Sequence, residues 1–252
     1  MSEREESGPS VLVTGGEGLI GRVLAAAWTG RLTSFDLPGE SALDRERLTA
    51  AARGHDAIVH LAWDKESEDF LNNGFAPENL AMAVNAVEAA VAAGVPRLVL
   101  ASSVHADTFW PPPRRPLTPT ATPVPDSPYG ASKVFMEALG RHAARFRGLE
   151  VVAIRFGGVN PADRRPDEPS ERAVWLSHAD CVALVRAAVS EPLPPERFAL
   201  VTGIGESPWR IHDPGDQLPW PSAPVSRSAL ARTRLRLLDA RMRLRRAVKA
   251  LR

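Results

Sequence analysis

The chain holds a single tyrosine, Tyr129, and only three lysines, Lys65, Lys133 and Lys249, among 31 basic residues. Lys133 follows the tyrosine by four positions, a spacing that puts both side chains on one face of a helix. An ammonium beside a phenol favours the phenolate and turns a weak acid into a usable base near neutral pH. In so arginine-rich a chain, a lysine suits a place that needs a compact amine rather than a planar guanidinium. Ser103, just past an apolar run, adds a hydroxyl able to donate to a substrate oxygen. Taking hydrogen from an alcohol needs such a set: a base for the hydroxyl proton, a group to orient the oxygen, and a nicotinamide acceptor. The competing reading is a surface pair on an exposed helix.

A second pattern supplies the acceptor's place. Thr14-Gly15-Gly16-Glu17-Gly18-Leu19-Ile20-Gly21 follows an apolar run and opens a helical one, the context that a dinucleotide-binding turn requires. Gly15 permits the tight turn, Gly18 the approach of backbone to a pyrophosphate, and Gly21 close helix–sheet packing. The helix N-terminus at Leu19 and Ile20 offers N–H groups and a partial positive charge to phosphates. Asp36 lies 21 residues beyond Gly15, where an acid accepts hydrogen bonds from the adenosine ribose hydroxyls and repels a 2′-phosphate. NAD is therefore favoured over NADP, with Arg22 as the residue that could argue the other way.

The elements that must position these residues alternate. Strands are predicted over Val11–Gly16, Arg31–Asp36, Asp56–Ala62, Arg97–Ser102 and Glu150–Phe156, with a sixth over Arg197–Val201. Helices are predicted over Leu19–Trp28, Asp44–Arg53, Glu78–Ala93, Tyr129–Phe146 and Ser177–Ser190. Eight prolines between Pro111 and Pro128 exclude regular structure there. Strands alternating with helices imply an α/β fold with a doubly wound parallel sheet, a Rossmann architecture. Its expected parts are a disordered stretch over 1–10, a cofactor-binding domain over 11–225 with a small C-terminal substrate cap mainly at 157–224, and a basic amphipathic terminal helix over 226–252.

Ten of the 31 basic residues but one of the 30 acidic ones fall in that last segment, so the body is mildly acidic and nucleic acid is not favoured by charge. The terminal helix, with Leu230, Leu237, Leu244 and Leu251 at heptad spacing, can pack on the domain or a partner subunit, as in a homodimer. It can also meet an anionic membrane surface or another protein. The polar, acidic first ten residues are unlike a secretory leader, and no apolar run is long enough to span a membrane. A soluble, cytoplasmic protein is expected. One cysteine, Cys181, excludes an internal disulfide, and no cluster has metal-ligand spacing. Cys181 reads as packed thiol, His60 as a buried hydrogen-bonding residue, and Ser177 as the cap of a helix that begins at His178 and Asp180. Phe109 and Trp110 could line a substrate pocket or anchor the Pro-rich loop.

In order along the chain, TGGEGLIG, the Asp36 strand end, DAIVHLA, the Asn79 helix, LVLASS, SPYGASK and IRFGGVNP resemble the extended short-chain dehydrogenase/reductases of the NAD-dependent epimerase/dehydratase family. The resemblance runs from about Val11 to about Gly203. It implies Ser103, Tyr129 and Lys133 as catalytic residues, with Lys133 also holding the nicotinamide ribose. It implies Leu61, Ala62 and Asn79 at the cofactor. Ser41 stands where the family usually has an acid reading the adenine amine. ASSVHAD and AVWLSHADCVALVRAA look most like the uronate dehydrogenase group, which oxidises the anomeric carbon of hexuronic acids. His105 matches that group's substrate-contacting histidine, whereas Val104 replaces its asparagine and Gly158 its serine. Arg172 lies two residues closer to the WLS motif than its carboxylate-binding arginine. The function implied is NAD-dependent oxidoreduction of a small sugar-like alcohol, with the uronic acid as its sharpest form. An epimerase or dehydratase with retained NAD, or a cofactor-binding regulatory or scaffold protein, are the alternatives.

Overall fold

The structure, a computed structural model, describes residues 8–64, 76–107, 116–205, 210–220 and Leu237. Phe109, Trp110 and, Leu237 apart, the terminal helix expected over 226–252 lie outside the described residues.

Among the described residues, six parallel strands form one sheet: β1 (Val11–Thr14), β2 (Leu32–Phe35), β3 (Ala57–His60), β4 (Arg97–Ser103), β5 (Glu150–Phe156) and β6 (Phe198–Gly203), in the spatial order β2-β1-β3-β4-β5-β6. Between them run α1 (Leu19–Ala27), α2 (Arg45–Ala52), α3 (Pro77–Ala93), α4 (Pro128–Arg147), α5 (Pro169–Ala173) and α6 (His178–Ser190). Strand alternation divides the core in two. Val11, Val13, Val59, Val99 and Ile154 pack with α1 and α6 on one face. Leu12, Ile58, Leu98, Leu100 and Val151 pack with α2, α3 and α4 on the other. Because both faces are covered, these strands read as apolar runs rather than alternating ones.

The chain order reverses at β1, which has β2 on one side and β3 on the other. Such a switch point opens a crevice beyond the carboxyl ends of the strands, where ligands of open α/β sheets bind. Gly15–Gly18 leave β1 at that end, Leu61 and Ala62 leave β3, and Ser103 closes β4.

Two expectations shift. The stretch expected to lack order, 1–10, is anchored at its end. Ser10 N–H donates to Asp56 Oδ2 at 2.8 Å, its hydroxyl meets His55 Nδ1 and Arg31 Nε, and the Trp28 indole donates to the Pro9 carbonyl. The 157–224 segment expected to form the cap contains α6 and β6, which belong to the sheet layers. Among the described residues, α5 with its loops stands outside those layers and is tied to the chain after β6 where Gly205 N–H donates to the Trp175 carbonyl at 2.7 Å, while Leu218 and Trp220 return to the core beside α6.

Candidate active site

The glycine turn is built from backbone contacts that leave no room for side chains. Gly15 has φ +72°, and a Cβ there would lie 2.6 Å from Ala62 N and 2.8 Å from Leu61 C, so the turn is pressed onto the exit of β3. A Cβ on Gly21 would lie 2.2 Å from the Gly16 carbonyl oxygen, and one on Gly16 would lie 2.3 Å from Ser34 Oγ. Gly18 differs: its Cβ would meet only the Gly15 carbonyl oxygen, at 3.2 Å. Its outer side is open. Gly18 is also the N-cap of α1, no side chain caps it, and the first turn of α1 carries no acid. Leu19, Ile20 and Gly21 thus form a helix start whose charge and donors suit a pyrophosphate.

At the far end of this turn the Asp36 carboxylate is fixed from two sides. Glu17 N–H donates to Oδ2 and Leu37 N–H to Oδ1, both at 2.8 Å. Each oxygen keeps a further lone-pair direction for a ribose hydroxyl. Glu17 places a second carboxylate at the same corner, its Oε1 accepting from Ser34 Oγ at 2.9 Å. Arg22 is exposed on the outer side of α1. The donor set and the paired acids fit NAD.

Next to the turn, Thr14 Oγ1 and His60 Nδ1 are 2.8 Å apart, and Leu61 N–H donates to the Thr14 carbonyl. Burial, then the charge of Lys133, pushes His60 down to about 3, so the ring is neutral at all ordinary pH. Asn79, fully buried at the start of α3, accepts from Asp64 N–H at 2.7 Å and donates to the Asp64 carbonyl at 3.0 Å. It fastens the chain that continues from Leu61 and Ala62.

The other half of the crevice begins at Ser103. Its hydroxyl accepts from His105 N–H at 3.3 Å across a short 3₁₀ turn, Val104–Ala106. His105 Nδ1 lies 2.9 Å from Asp126 Oδ2, which places the ring proton of the neutral form on that nitrogen. Ser127 caps α4: its hydroxyl accepts from Gly130 N–H at 3.1 Å and donates to Asp126 Oδ1 at 2.9 Å. Pro128 occupies the first helical position, where its missing N–H costs nothing. A Cβ on Gly130 would lie 2.1 Å from the His105 carbonyl oxygen. Only glycine lets α4 start this close to the turn after β4, so that the His105 and Tyr129 rings meet edge-on at 5.8 Å between centroids.

One turn further, Lys133 is 3% exposed and its ammonium sits 5.3 Å from the Tyr129 ring centroid. The sequence-predicted trio of Ser103, Tyr129 and Lys133 is thereby brought together, and His105 with it. Arg172 is not. Its Nε donates to the Pro166 carbonyl at 2.8 Å and its Nη2 lies 3.7 Å from Asp167 Oδ1, so the guanidinium is folded onto its own loop. Cys181 is buried in the α6 core, where burial pushes its thiol up to about 12, as a packed thiol requires. Ser177 Oγ accepts from Asp180 N–H at 3.1 Å and caps α6.

The family model of the NAD dependent epimerase/dehydratase family matches residues 11–174. The chain belongs to this family. L-arabinose 1-dehydrogenase (NAD(P)(+)) of Haloferax volcanii is 34% identical to it over 219 residues, covering 75% of this chain and 86% of the relative. Uronate dehydrogenase of Agrobacterium fabrum is 35% identical over 153 residues, 60% of this chain and 54% of the relative. Among solved structures, a uronate dehydrogenase mutant from Agrobacterium tumefaciens complexed with NAD superposes with a TM-score of 0.67 at 29% identity, over 82% of this chain and 80% of that one. As a family member the protein is an NAD-dependent enzyme of the extended short-chain dehydrogenase/reductase type.

Beneath the trio lies a network the sequence reading passed over. Arg155, 1% exposed, donates from Nε and Nη2 to the two oxygens of Glu137, both at 2.8 Å, and from Nη1 to Asp107 Oδ2 at 3.2 Å. Ser102 Oγ donates to Glu137 Oε1 at 2.6 Å. This bidentate pair bolts β5 to α4 one turn beyond Lys133, and to the residue that ends the 3₁₀ turn. Its sequence signal is an arginine inside the apolar strand EVVAIRF and a glutamate four residues after Lys133. Trp63, in HLAW, was also passed over and stands against both Lys133 and Tyr129.

Proposed function

We propose that the protein is an NAD-dependent dehydrogenase acting on a CH–OH group of a small free sugar, with Tyr129 as general base. The observation that carries this reading is the approach of the Lys133 ammonium to 5.3 Å from the Tyr129 ring, on a helix start held against Ser103 and His105. NAD, when bound, supplies the acceptor for the carbon-bound hydrogen and its electron pair. Gly15, Gly18, Leu19, Ile20 and Gly21 would hold its pyrophosphate, Asp36 its adenosine ribose, and Leu61 and Ala62 its flank. Asn79 supports that flank through Asp64.

The protein's own part is proton handling and orientation. The Tyr129 oxygen, as phenolate, takes the proton of the sugar hydroxyl. The Ser103 hydroxyl donates to a lone pair of the same substrate oxygen and so turns its O–H toward the base. Lys133 keeps the phenolate accessible near neutral pH and would hold the nicotinamide ribose. His105, steadied by Asp126, stands beside the Tyr129 ring to contact the sugar. Relatives named for L-arabinose and for uronates support a free monosaccharide. The finer choice of a uronic acid rests on Arg172 swinging off the Pro166 carbonyl to clamp a carboxylate with two parallel bonds.

The test is a panel of free pentoses, hexoses and uronates, each with NAD, followed by NADH absorbance, with nucleotide-sugars as the counter-arm. Turnover of a free sugar is expected. Turnover of nucleotide-sugars alone would overturn the reading. If a uronate is the substrate, Arg172→Ala should raise its KM far more than that of the matching neutral sugar, and equal changes would remove Arg172 from the site.

A further inference from the structure

A neutral imidazole can face a substrate as a donor or as an acceptor. One ring nitrogen carries the proton and the other the lone pair, and the partner of one nitrogen decides the role of both. For His105 that partner is Asp126. His105 Nδ1 lies 2.9 Å from Asp126 Oδ2 and 3.1 Å from Oδ1, with the two side chains 29% and 26% exposed. The backbones are joined as well, Asp126 N–H donating to the His105 carbonyl at 3.3 Å. An ionised carboxylate only accepts, so the neutral ring has its proton on Nδ1 and its lone pair on Nε2.

The carboxylate is itself oriented. Ser127 Oγ accepts from Gly130 N–H at 3.1 Å and gives its own proton to Asp126 Oδ1 at 2.9 Å. Asp126 thus stands between the His105 ring and the cap of the helix that carries Tyr129, whose ring is edge-on to His105 with planes at 71°.

We propose that Asp126 is a positioning residue that makes His105 a hydrogen-bond acceptor toward the substrate, so that the site reads a sugar hydroxyl there and not a carboxylate. The inference rests on the reading of His105 as a sugar contact. A hydroxyl can give its proton to Nε2, whereas a carboxylate has none to give and would set lone pair against lone pair. Any carboxylate on the sugar must then be met elsewhere, the task given above to Arg172. Exchange of one atom reverses the arrangement. In Asp126→Asn the Ser127 proton selects the amide oxygen at the Oδ1 place, and the amide nitrogen takes the place of Oδ2 beside Nδ1. That nitrogen donates, so Nδ1 must give up its proton and the neutral ring carries it on Nε2 instead.

Ring ¹⁵N chemical shifts tell a protonated imidazole nitrogen from a bare one, and the full chain can be measured with no substrate. His105→Gln identifies the ring's signals among those of the six histidines. At about pH 8.5, where a histidine of ordinary pKa is neutral, His105 should carry its proton on Nδ1 in the unmodified protein and on Nε2 in Asp126→Asn. A proton on Nε2 in the unmodified protein, or the same tautomer in both, would overturn the proposal. If Asp126→Asn does not fold, the tautomer of the unmodified protein decides alone. Once a substrate is in hand, Asp126→Ala should raise KM for the sugar about tenfold, the weight of one hydrogen bond, and lower kcat much less. A fall in kcat with KM unmoved would also overturn it, because Asp126 would then act through the start of α4 and Tyr129 rather than through His105. The expected tautomers with no sugar turned over would keep the role of Asp126 and defeat the dehydrogenase reading instead.

Discussion

The two halves of the crevice are made of different materials. The cofactor half is backbone: three glycines, a helix start without a side-chain cap, and a carboxylate held by two N–H groups. The other half is side chain. Its hydroxyl, rings, ammonium and buried ion pair come from β4, the turn after it, the loop before α4, α4 itself and β5. At Gly15 and Gly21 the backbone half tolerates little change because a Cβ has nowhere to go. Side-chain sites depend on partners far apart in sequence, each of which can be removed without moving the chain.

The largest effect expected from this difference lies in the side-chain half. Tyr129→Phe should keep NAD affinity and lose about 10²–10⁴ in rate, the usual weight of a general base. Near-normal turnover would take Tyr129 out of the mechanism. In the backbone half, Gly21→Ala would put a Cβ 2.2 Å from the Gly16 carbonyl oxygen. It should destabilise the fold by about 1–3 kcal/mol or more and loosen NAD binding with it. Gly18→Ala meets only one atom, at 3.2 Å, and should cost less than about 1 kcal/mol of stability, yet weaken NAD at least as much. Denaturant titration with and without NAD separates the two glycines. Equal stability losses would mean that Gly18 is structural like Gly21.

That contrast also explains what could be read from sequence. The glycine turn, Asp36 and the Tyr129–Lys133 pair are legible because each lies within one element or at its end, where spacing alone carries the geometry. The alternation of apolar runs likewise announces the doubly wound sheet, because strands covered on both faces have no polar side to hide. The ion pair of Arg155 with Glu137 and Asp107 is not legible, since its partners are 18 and 48 residues apart and meet only through the sheet. The bond of His105 to Asp126, 21 residues away across the Pro-rich loop, is hidden for the same reason. Arg172 shows the opposite case. Its sequence position suggests a carboxylate clamp, but a flexible side chain beside loop carbonyls settles on the nearest acceptors. The turn Val104–Ala106 and α5 are too short to show a helical period.

Acid stability sharpens the comparison further. Burial and neighbouring cations hold His60 and His212 at about 3, below the ordinary histidine value. Between that value and about 6.5 the unfolded chain binds more protons than the folded one. The stability these rings contribute is therefore whole above about pH 6.5 and is lost as pH falls toward 3, by up to about 1.4 kcal/mol per pH unit for each ring. His212→Gln should flatten this slope, as read from denaturant midpoints at a series of pH values. An unchanged slope would mean that the ring already binds its proton in the fold.

The smallest effect concerns cofactor choice. Asp36→Ala should narrow the preference for NAD over NADP by about tenfold, equivalent to about 1.4 kcal/mol, with the Glu17 carboxylate left to repel the extra phosphate. Equal affinities in the unmodified protein would contradict the role of Asp36 and turn attention to Arg22.

The most direct test of the central claim is the stoichiometry of NADH formed to sugar converted, with enzyme at low concentration and NAD in excess. A dehydrogenase that hands its hydrogen to NAD and releases the product gives one NADH for each sugar consumed. Sugar converted without net NADH would show that the hydrogen returns to the substrate, and would make this protein an epimerase or dehydratase with a retained cofactor.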